Sequence, residues 1–302
     1  MKEKLGIILL NYKNYKDTID CIKSIQSQDY DNYEIIVVDN NSQNESVEKI
    51  KIFIEEKRNI HLIESKENLG FAKGNNIGIR FARNKLKCDF VFVLNSDTIL
   101  DDKTILQRLI DSYQKDENIA VINPVCCNVD REIQMPYLVC NSRMWKYCLK
   151  TGKYLIKQYL KIKFNIRVKK NKEKKINISQ IEKNKYIIQG CAYILTPEFF
   201  RYYSQIYPET FLYCEEMALA IYLEKAKLKT IINKEVIIIH KEGGSSSEII
   251  NDQRKKRLKY QVQSYFKVLK LLKYSYNTIK NFFDVYEELQ WYWNYVIRVK
   301  KL

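Results

Sequence analysis

The side chains best suited to chemistry in this chain directly follow short apolar runs. Asp39 comes after EIIVV, Asp97 after FVFVLNS, and His240 after EVIII. Carboxylate oxygens and imidazole nitrogens both bind divalent cations, so these residues could form a metal site if the fold brings them together. Each residue type also occurs in turns and helix caps, or as a structural histidine. Acids after two fully apolar runs predict a polar rim on one edge of a sheet. Amides and hydroxyls extend this rim at Asn11, Asn41, Asn95 and Ser96.

A second segment, residues 67–78 (ENLGFAKGNNIG), spaces its glycines by four. This spacing matches neither the G-x-G-x-x-G dinucleotide fingerprint nor a P-loop, which ends in G-K-[ST]. Small residues at a helix start would let the backbone approach a ligand closely, and Asn68, Asn75 and Asn76 offer hydrogen bonds. We interpret the segment as a nucleotide contact of a different kind.

Two adjacent acids, Glu215 and Glu216, begin a helical pattern that runs to about Lys227. Carboxylates at a helix start gain from the helix dipole. The pair therefore fits a structural role as well as a chemical one.

The elements that must position these side chains alternate regularly between Lys4 and Asn123. Short apolar runs (LGIILLN, EIIVVDN, IHLIES, FVFVLNSD and IAVINP) are separated by helical patterns at residues 17–28, 45–56, 72–84 and 103–115. This alternation predicts an α/β fold with a mixed, mostly parallel sheet that helices cover on both faces. Such sheets place their chemistry at the carboxyl ends of the strands.

The charge of the chain is strongly localised. The 302 residues contain 52 Lys+Arg and 36 Asp+Glu, a net charge of +16. Residues 146–175 carry 12 basic and one acidic residue, and residues 251–302 carry 12 and four, so the remainder is slightly acidic. This distribution disfavours a polycation that coats nucleic acid. No apolar run approaches the length of a bilayer span, so we expect a cytoplasmic protein that is soluble or peripheral to a membrane.

The C-terminal segment combines its positive charge with an apolar stripe. Val262, Tyr265, Phe266 and Leu269 recur at helical spacing among lysines, and residues 282–299 add further aromatic side chains. Such helices could bind an anionic membrane surface, or pack as a hairpin on the catalytic core. We therefore predict a catalytic domain at residues 1–250, with a basic insertion at about 146–185, followed by basic, aromatic-rich helices at 251–302. The insertion could be a lid, an acceptor-binding element or a second membrane contact.

Five segments in a fixed order, VVDNNS, ENLGFAKGNN, LNSD, FLYCEE and IIIHKEGGSS, resemble the family 2 glycosyltransferases. The resemblance covers about Leu5 to Ser247 and is greatest to bacterial rhamnosyltransferase-like members that build surface polysaccharides. It implies the GT-A fold, a Rossmann-like fold of nucleotide-diphospho-sugar transferases.

The resemblance also implies roles for individual residues. Asp97 matches the last acid of the family's D-x-D signature and would bind Mg²⁺ or Mn²⁺, with His240 as a second ligand. Asn95 replaces the first acid of that signature, which leaves one carboxylate for the cation. Glu216 matches the catalytic base, and Ala218 replaces a further acid. Asp39 would bind the nucleotide base or ribose. The full set of implied donor contacts is Asn11, Asp39, Asn41, Asn68, Gly70, Lys73, Asn76, Asn95, Ser96 and Glu215.

The function implied is a metal-dependent, inverting transfer of a sugar from a nucleotide diphosphate donor to a lipid-linked glycan, on the inner face of the cell membrane. The partners expected are the donor, the saccharide acceptor and an anionic membrane surface. One alternative is a non-catalytic family member that binds nucleotide sugars, because Asn95 and Ala218 depart from the family pattern. A basic nucleic-acid-binding α/β protein is the other, but no RNA-binding signature or helix-turn-helix occurs, so we expect no nucleic-acid partner. The sequence does not determine the sugar, the linkage or the oligomeric state.

Overall fold

The computed structural model describes residues 3–113, 118–134, 136, 138–163, 178–181, 183–241 and 251–272. Three features of the sequence predictions lie outside these residues: residues 164–177 of the basic insertion, the GGSSS segment (243–247) and the aromatic stretch at 282–299.

Short strands and helices alternate through the first half of the chain. They are β1 (Leu5–Asn11), α1 (Tyr15–Gln26), β2 (Tyr33–Asp39), α2 (Ser46–Ile54), β3 (Ile60–Glu64), α3 (Gly70–Asn84), β4 (Phe90–Asn95), β5 (Thr98–Ile99), α4 (Ile105–Asp111) and β6 (Ile119–Cys127). The second half contains β7 (Leu138–Cys140), α5 (Met144–Lys163), α6 (Ile178–Ile181), β8 (Tyr186–Ile188), β9 (Ala192–Leu195), α7 (Pro197–Phe200), α8 (Glu215–Ala226), β10 (Lys229–His240) and α9 (Asn251–Leu269), after which Lys270–Leu272 form a 3-10 turn.

Eight strands form one sheet in the order β3-β2-β1-β4-β9-β6-β10-β5. The pairs β1–β2, β1–β4, β2–β3 and β6–β10 are parallel, whereas β9 runs antiparallel to both of its neighbours. Strands β7 and β8 form a separate antiparallel pair. This architecture confirms the predicted fold class, a mostly parallel α/β sheet with flanking helices.

Both faces of the sheet are buried, as its continuous apolar strands require. On β1, Leu5, Ile7 and Leu9 belong to the core cluster that includes α1 and α4, whereas Ile8 belongs to the cluster that includes α3, α8 and α9. Complete burial of each such side chain contributes roughly 1.5–3 kcal/mol.

The four-residue glycine spacing is explained by the packing of α3 on β1. A Cβ atom at Gly74 would lie 2.6 Å from Leu10 Cδ1, and one at Gly78 would lie 2.5 Å from Ile8 Cγ2. Only glycine permits this close approach of helix and sheet. At Gly74 and Gly78 the spacing therefore serves packing, a role that the interpretation as a nucleotide contact did not include.

The helix α9 is packed on the α/β core. Its predicted apolar stripe, Val262, Tyr265, Phe266 and Leu269, is buried in the same cluster as α3 and α8. The Tyr265 hydroxyl donates a hydrogen bond to the Cys148 carbonyl of α5 at 2.9 Å. Packing on the core, one of two interpretations that do not exclude each other, is observed for this helix, and its apolar face is covered by protein. None of the described helices has the length and hydropathy needed to span a membrane.

Candidate functional site

The carboxyl end of β2 forms a hydrogen-bonded turn around Asp39. The buried Asp39 carboxylate accepts hydrogen bonds from Asn11 Nδ2 at 2.6 Å, from the Ser42 backbone N–H at 2.9 Å and from the Ser42 hydroxyl. Asn41 adopts the left-handed conformation (φ 61°) that closes this turn. The turn therefore lies at the β2 end of the predicted polar rim, and Asn11 and Ser42 orient Asp39 within it.

Asn40, which the sequence prediction omitted, connects this turn to the loop before α3. Its Nδ2 donates to Asn68 Oδ1 at 3.0 Å, and its Oδ1 accepts from the Leu69 backbone N–H at 2.9 Å. Asn68 Oδ1 also accepts from the Gly70 N–H at 3.0 Å. The only signal for Asn40 in the sequence was its position in the DNNS segment, between Asp39 and Asn41, which were both predicted to contact the donor.

Gly70 joins the start of α3 to the segment that precedes α8. Its φ is +76°, and a Cβ atom there would lie 2.2 Å from the Phe211 carbonyl oxygen. That oxygen accepts a hydrogen bond from the Phe71 N–H at 2.7 Å. A glycine is therefore required here for both conformation and space.

Two further residues of α3 were predicted to contact the donor. The buried Asn76 donates to the Ile206 carbonyl at 2.9 Å and accepts from the Ile206 N–H at 3.1 Å, so both ends of its amide already hold the fold together. Lys73 is exposed on the same helix.

Asp97 and His240 lie side by side, 143 residues apart in sequence. Asp97 Oδ1 is 3.4 Å from His240 Nε2, and His240 Nδ1 is 3.2 Å from Gln134 Oε1. The pairing of β5 with β10 brings them together, since Thr98 is the register partner of His240. Ser96, one residue earlier, donates from its hydroxyl to the Leu10 carbonyl at 3.2 Å. Burial lowers the pKa of His240, but hydrogen bonds with Asp97 and Cys191 outweigh burial and raise this pKa to about 10.

This pair suits a cation whose remaining ligands come from elsewhere. The raised pKa keeps a proton on His240, which a bound cation would have to displace. The carboxylate oxygen and the imidazole nitrogen together would then suit Mn²⁺ better than Mg²⁺, which strongly prefers oxygen. Within the described ranges, no group of three or more His, Cys, Asp or Glu side chains surrounds a potential metal position. A cation here would therefore take its other ligands from water or from substrate.

A strained turn places Glu215 and Glu216 at the start of α8. Tyr213 (φ 71°) and Cys214 (φ 68°) are both left-handed, a conformation that costs a non-glycine residue roughly 1–2 kcal/mol. Helix α9 supports the turn, because the hydroxyl of Ser264 donates to the Leu212 carbonyl at 2.9 Å. Neither strained residue is a glycine or asparagine, so the sequence gives no signal for this turn.

These two acids line a cavity of ≈ 280 Å³ that reaches the end of β4. Its wall is formed by residues from α3, β4, α5, the start of α8 and α9. They are Phe71, Asn95, Leu138, Tyr147, Thr151, Tyr154, Leu155, Gly190, Leu212, Tyr213, Cys214, Glu215, Glu216, Met217, Arg257 and Gln261. The cavity therefore joins Asn95, beside the Asp97–His240 pair, to the predicted base.

Both acids titrate close to neutral pH. Burial, with a smaller contribution from the nearby Cys191, raises the pKa of Glu216 to about 7. Burial and then the charge of Glu216 raise the pKa of Glu215 to about 8. Glu215 Oε1 is buried without a hydrogen-bond partner among the described residues. A carboxylate with a pKa near 7 is well matched to general-base catalysis at physiological pH.

Cys191 connects the two halves of the site. Its carbonyl accepts from the Asn95 N–H at 2.8 Å, and its thiol interacts with both His240 and Glu216. Three predicted residues thus line one cavity, and the Asp97–His240 pair lies beside it. Asp39 and Asn68 form a second cluster, which reaches the cavity through Gly70, Phe71 and Phe211. The role of Cys191 was not predicted, although its QGCA segment interrupts an apolar pattern.

Comparisons with known proteins concern the family and the fold of the chain. A family model described as Glycosyl transferase family 2 matches residues 6–170, more than half of the chain. Agl10, a low-salt glycan biosynthesis hexosyltransferase of Haloferax volcanii, is 33% identical over 128 residues, which cover 42% of this chain and 38% of Agl10. Glycosyltransferase GlyG of Streptococcus pneumoniae is 26% identical over 123 residues, which cover 41% of this chain and 40% of GlyG. The chain thus spans about two fifths of the length of these curated relatives.

Solved structures share the fold at low sequence identity. Mannosyltransferase PcManGT from Pyrobaculum calidifontis, in complex with GDP-Man and Mn²⁺, has a TM-score of 0.59 at 14% identity, covering 91% of this chain and 66% of that chain. S. aureus TarS in complex with UDP has a TM-score of 0.51 at 13% identity, and the match covers 88% of this chain and 65% of the TarS chain. At these identities the likeness concerns the fold alone.

Proposed function

The chain belongs to glycosyl transferase family 2, and from this premise we propose that it transfers a sugar from a nucleotide diphosphate donor to a lipid-linked saccharide during glycan synthesis. The observation that carries the proposal is the cavity that joins Asn95 at the end of β4 to Glu216 at the start of α8. It offers one space in which an acceptor hydroxyl could meet a base and a donor sugar.

Glu216 is the proposed general base. A sugar hydroxyl is a weak nucleophile, and a positioned base that removes its proton accelerates attack by roughly 10²–10⁴-fold. With a pKa of about 7, Glu216 is ionised in a useful fraction at neutral pH and can still accept a proton. Attack from the face opposite the leaving group would invert the anomeric centre.

The rim of the sheet is the proposed donor site. The Asp39 turn and the Asn68 loop would hold the nucleoside, and the Asp97–His240 pair would hold a divalent cation at the diphosphate. When bound, such a cation neutralises the charge that the departing diphosphate gains. Asn95 in place of an acid leaves the protein one carboxylate for this task, which predicts weak metal binding.

The relatives guide the choice of donors. Agl10 is named a hexosyltransferase, PcManGT was solved with GDP-Man and Mn²⁺, and TarS was solved with UDP. We therefore propose a panel of UDP-, GDP- and dTDP-linked hexoses and deoxyhexoses, dTDP-rhamnose included, with Mn²⁺ or Mg²⁺.

Release of nucleoside diphosphate from this panel, in the presence of a lipid-linked saccharide, tests the proposal. We expect turnover with at least one donor, with loss of activity in Glu216→Gln and Asp97→Ala. Glu209→Gln, which changes an exposed acid of the same region, is the matched control. Full activity of both site variants would refute the residue assignments.

A non-catalytic nucleotide-sugar-binding role is the second candidate, because Asn95 removes a metal-binding acid. The other departure, Ala218, is buried in the core and lies outside the cavity wall. Thermal stabilisation by a nucleotide sugar without any turnover would favour this role over catalysis.

We also propose that the protein works on the inner face of the cell membrane. The exposed lysines of α5 and α9 support this placement, since juxtamembrane basic residues are attracted to anionic lipids. Co-sedimentation with phosphatidylglycerol vesicles, lost at high salt, would be the expected result; equal recovery with neutral vesicles would argue against it.

A further inference from the structure

We propose that Arg257 of α9 binds a diphosphate group of the acceptor at the outer end of the cavity that contains Glu216. The inference rests on the proposed glycosyl transfer, because it assigns a chemical class to the second substrate of that reaction. It concerns a helix that lies beyond the part of the chain matched by the family model.

The cavity has a chemical polarity along its length. Its inner wall contains Asn95, Glu215 and Glu216, whereas Tyr154 of α5 and Arg257 of α9, both exposed, belong to its outer wall. An acceptor hydroxyl that reaches Glu216 must occupy the inner part. The rest of the acceptor therefore leaves the cavity between α5 and α9.

The side chain of Arg257 is held in place but its charge is available. Its guanidinium lies over the Tyr213 ring, 5.3 Å from the ring centroid, and Tyr213 belongs to the strained turn that leads to the acids. No carboxylate pairs with Arg257 among the described residues. A planar guanidinium offers a fork of donors that matches phosphate oxygens.

Lysines add further positive charge at the same opening. Lys150 and Lys157 are exposed on α5, four residues before and three residues after Tyr154, which places all three on one face of the helix. Lys256, next to Arg257, is also exposed. None of these lysines has an acidic partner within the described parts of the chain. Such an excess of charge favours a group with two or more negative charges over a neutral sugar.

The inner end of the cavity would reject the same anion. Glu215 and Glu216 bring negative charge to that end as the pH rises, and neither has a basic partner among the described residues. The Glu216 carboxyl, which lines the cavity, can instead accept a hydrogen bond from a sugar hydroxyl. The cavity is thus arranged for a saccharide inside and a phosphate group outside.

Binding of two synthetic probes tests the assignment. One is N-acetylglucosamine linked through a diphosphate to a short alkyl chain, and the other is its uncharged octyl glycoside. We expect the wild-type protein, in neutral detergent, to bind the diphosphate probe about 10–100-fold more tightly, as a charge-assisted bidentate contact implies. Arg257→Gln should remove most of this preference, whereas the matched control Lys267→Gln, which changes an exposed lysine of α9 outside the cavity wall, should retain it.

Two results would overturn the inference: equal binding of both probes by the wild-type protein, or an unchanged preference in Arg257→Gln. If Arg257→Gln weakens only the binding of phosphatidylglycerol vesicles, the phosphate recognised belongs to lipid headgroups, and the inference is also wrong. A different result would refute the proposed function alone: no donor is turned over, while the protein still prefers the diphosphate probe and this preference still depends on Arg257. With turnover, Arg257→Gln should raise the KM for the diphosphate probe, with little change in kcat or in the KM for the donor.

Discussion

Replacement of the proposed base should make the protein more stable while it abolishes activity. Glu216 is a half-buried residue in the cavity wall, and burial is the largest cause of its raised pKa. The folded protein therefore resists ionisation of this carboxyl, and at high pH folding must overcome that resistance. Glu216→Gln keeps the size and the hydrogen-bonding capacity of the side chain but removes the charge.

The size of the effect follows from the pKa. A rise from 4.5 to about 7 corresponds to roughly 3 kcal/mol of stability lost on ionisation. Solvent in the open cavity screens part of this, so we expect roughly 2 kcal/mol. Folding raises the pKa of this acid, so ionisation destabilises the folded state. This loss of stability is absent below pH 4.5, grows as the pH rises and is complete above pH 7.

Urea and thermal unfolding at pH 8 and pH 4 measure this difference. At pH 8, Glu216→Gln should gain roughly 2 kcal/mol, or about 4–8 °C in Tm, and at pH 4 it should match the wild-type protein. Glu209→Gln, at an exposed acid, should change neither value. Destabilisation of Glu216→Gln at pH 8, or an equal gain at both pH values, would refute the idea that burial strains this carboxylate.

Three further changes test other parts of the site. The kcat should rise with pH through about 7, since Glu216 must be ionised to accept a proton, and a flat pH–rate profile would contradict this role. Gly70→Ala should lower the free energy of unfolding by about 2 kcal/mol in urea titrations, because the position is left-handed and a Cβ atom would meet Phe211; an unchanged midpoint would be inconsistent with this geometry. Asp97→Asn should raise the Mn²⁺ concentration for half-maximal activity by at least about 10-fold, and an unaltered Mn²⁺ titration would exclude Asp97 as a ligand.

The sheet could be predicted because its parallel strands are continuous apolar runs with polar residues at their ends. The three runs that lead to Asn11, Asp39 and Asp97 became β1, β2 and β4, with β1 between the other two and their polar ends on one edge. The position of β9 could not be read in the same way. Its four residues pair between β4 and β6 across a long separation in sequence, and pairing partners leave no local signal.

The functional site was harder to predict, because its geometry depends on long-range contacts. Periodicity identified the apolar stripe of α9, but periodicity does not say whether protein or lipid covers such a stripe. The left-handed turn at Tyr213 was invisible for a related reason, since its residues have no intrinsic preference for that conformation. For the same reason, no motif indicated that Arg257 would line the cavity.

The strained turn before α8 explains why the site depends on α9. Two consecutive left-handed residues together cost roughly 2–4 kcal/mol, and such a conformation persists only where the surroundings stabilise it. Helix α9 supplies that support in three ways: Ser264 donates a hydrogen bond, the Tyr260 ring packs at a tilt against Phe211 with ring centroids 5.2 Å apart, and Arg257 lies over Tyr213. Without these contacts the turn could relax and move Glu216 away from the cavity. The helix that we propose as the acceptor site is therefore also the element that holds the base in place.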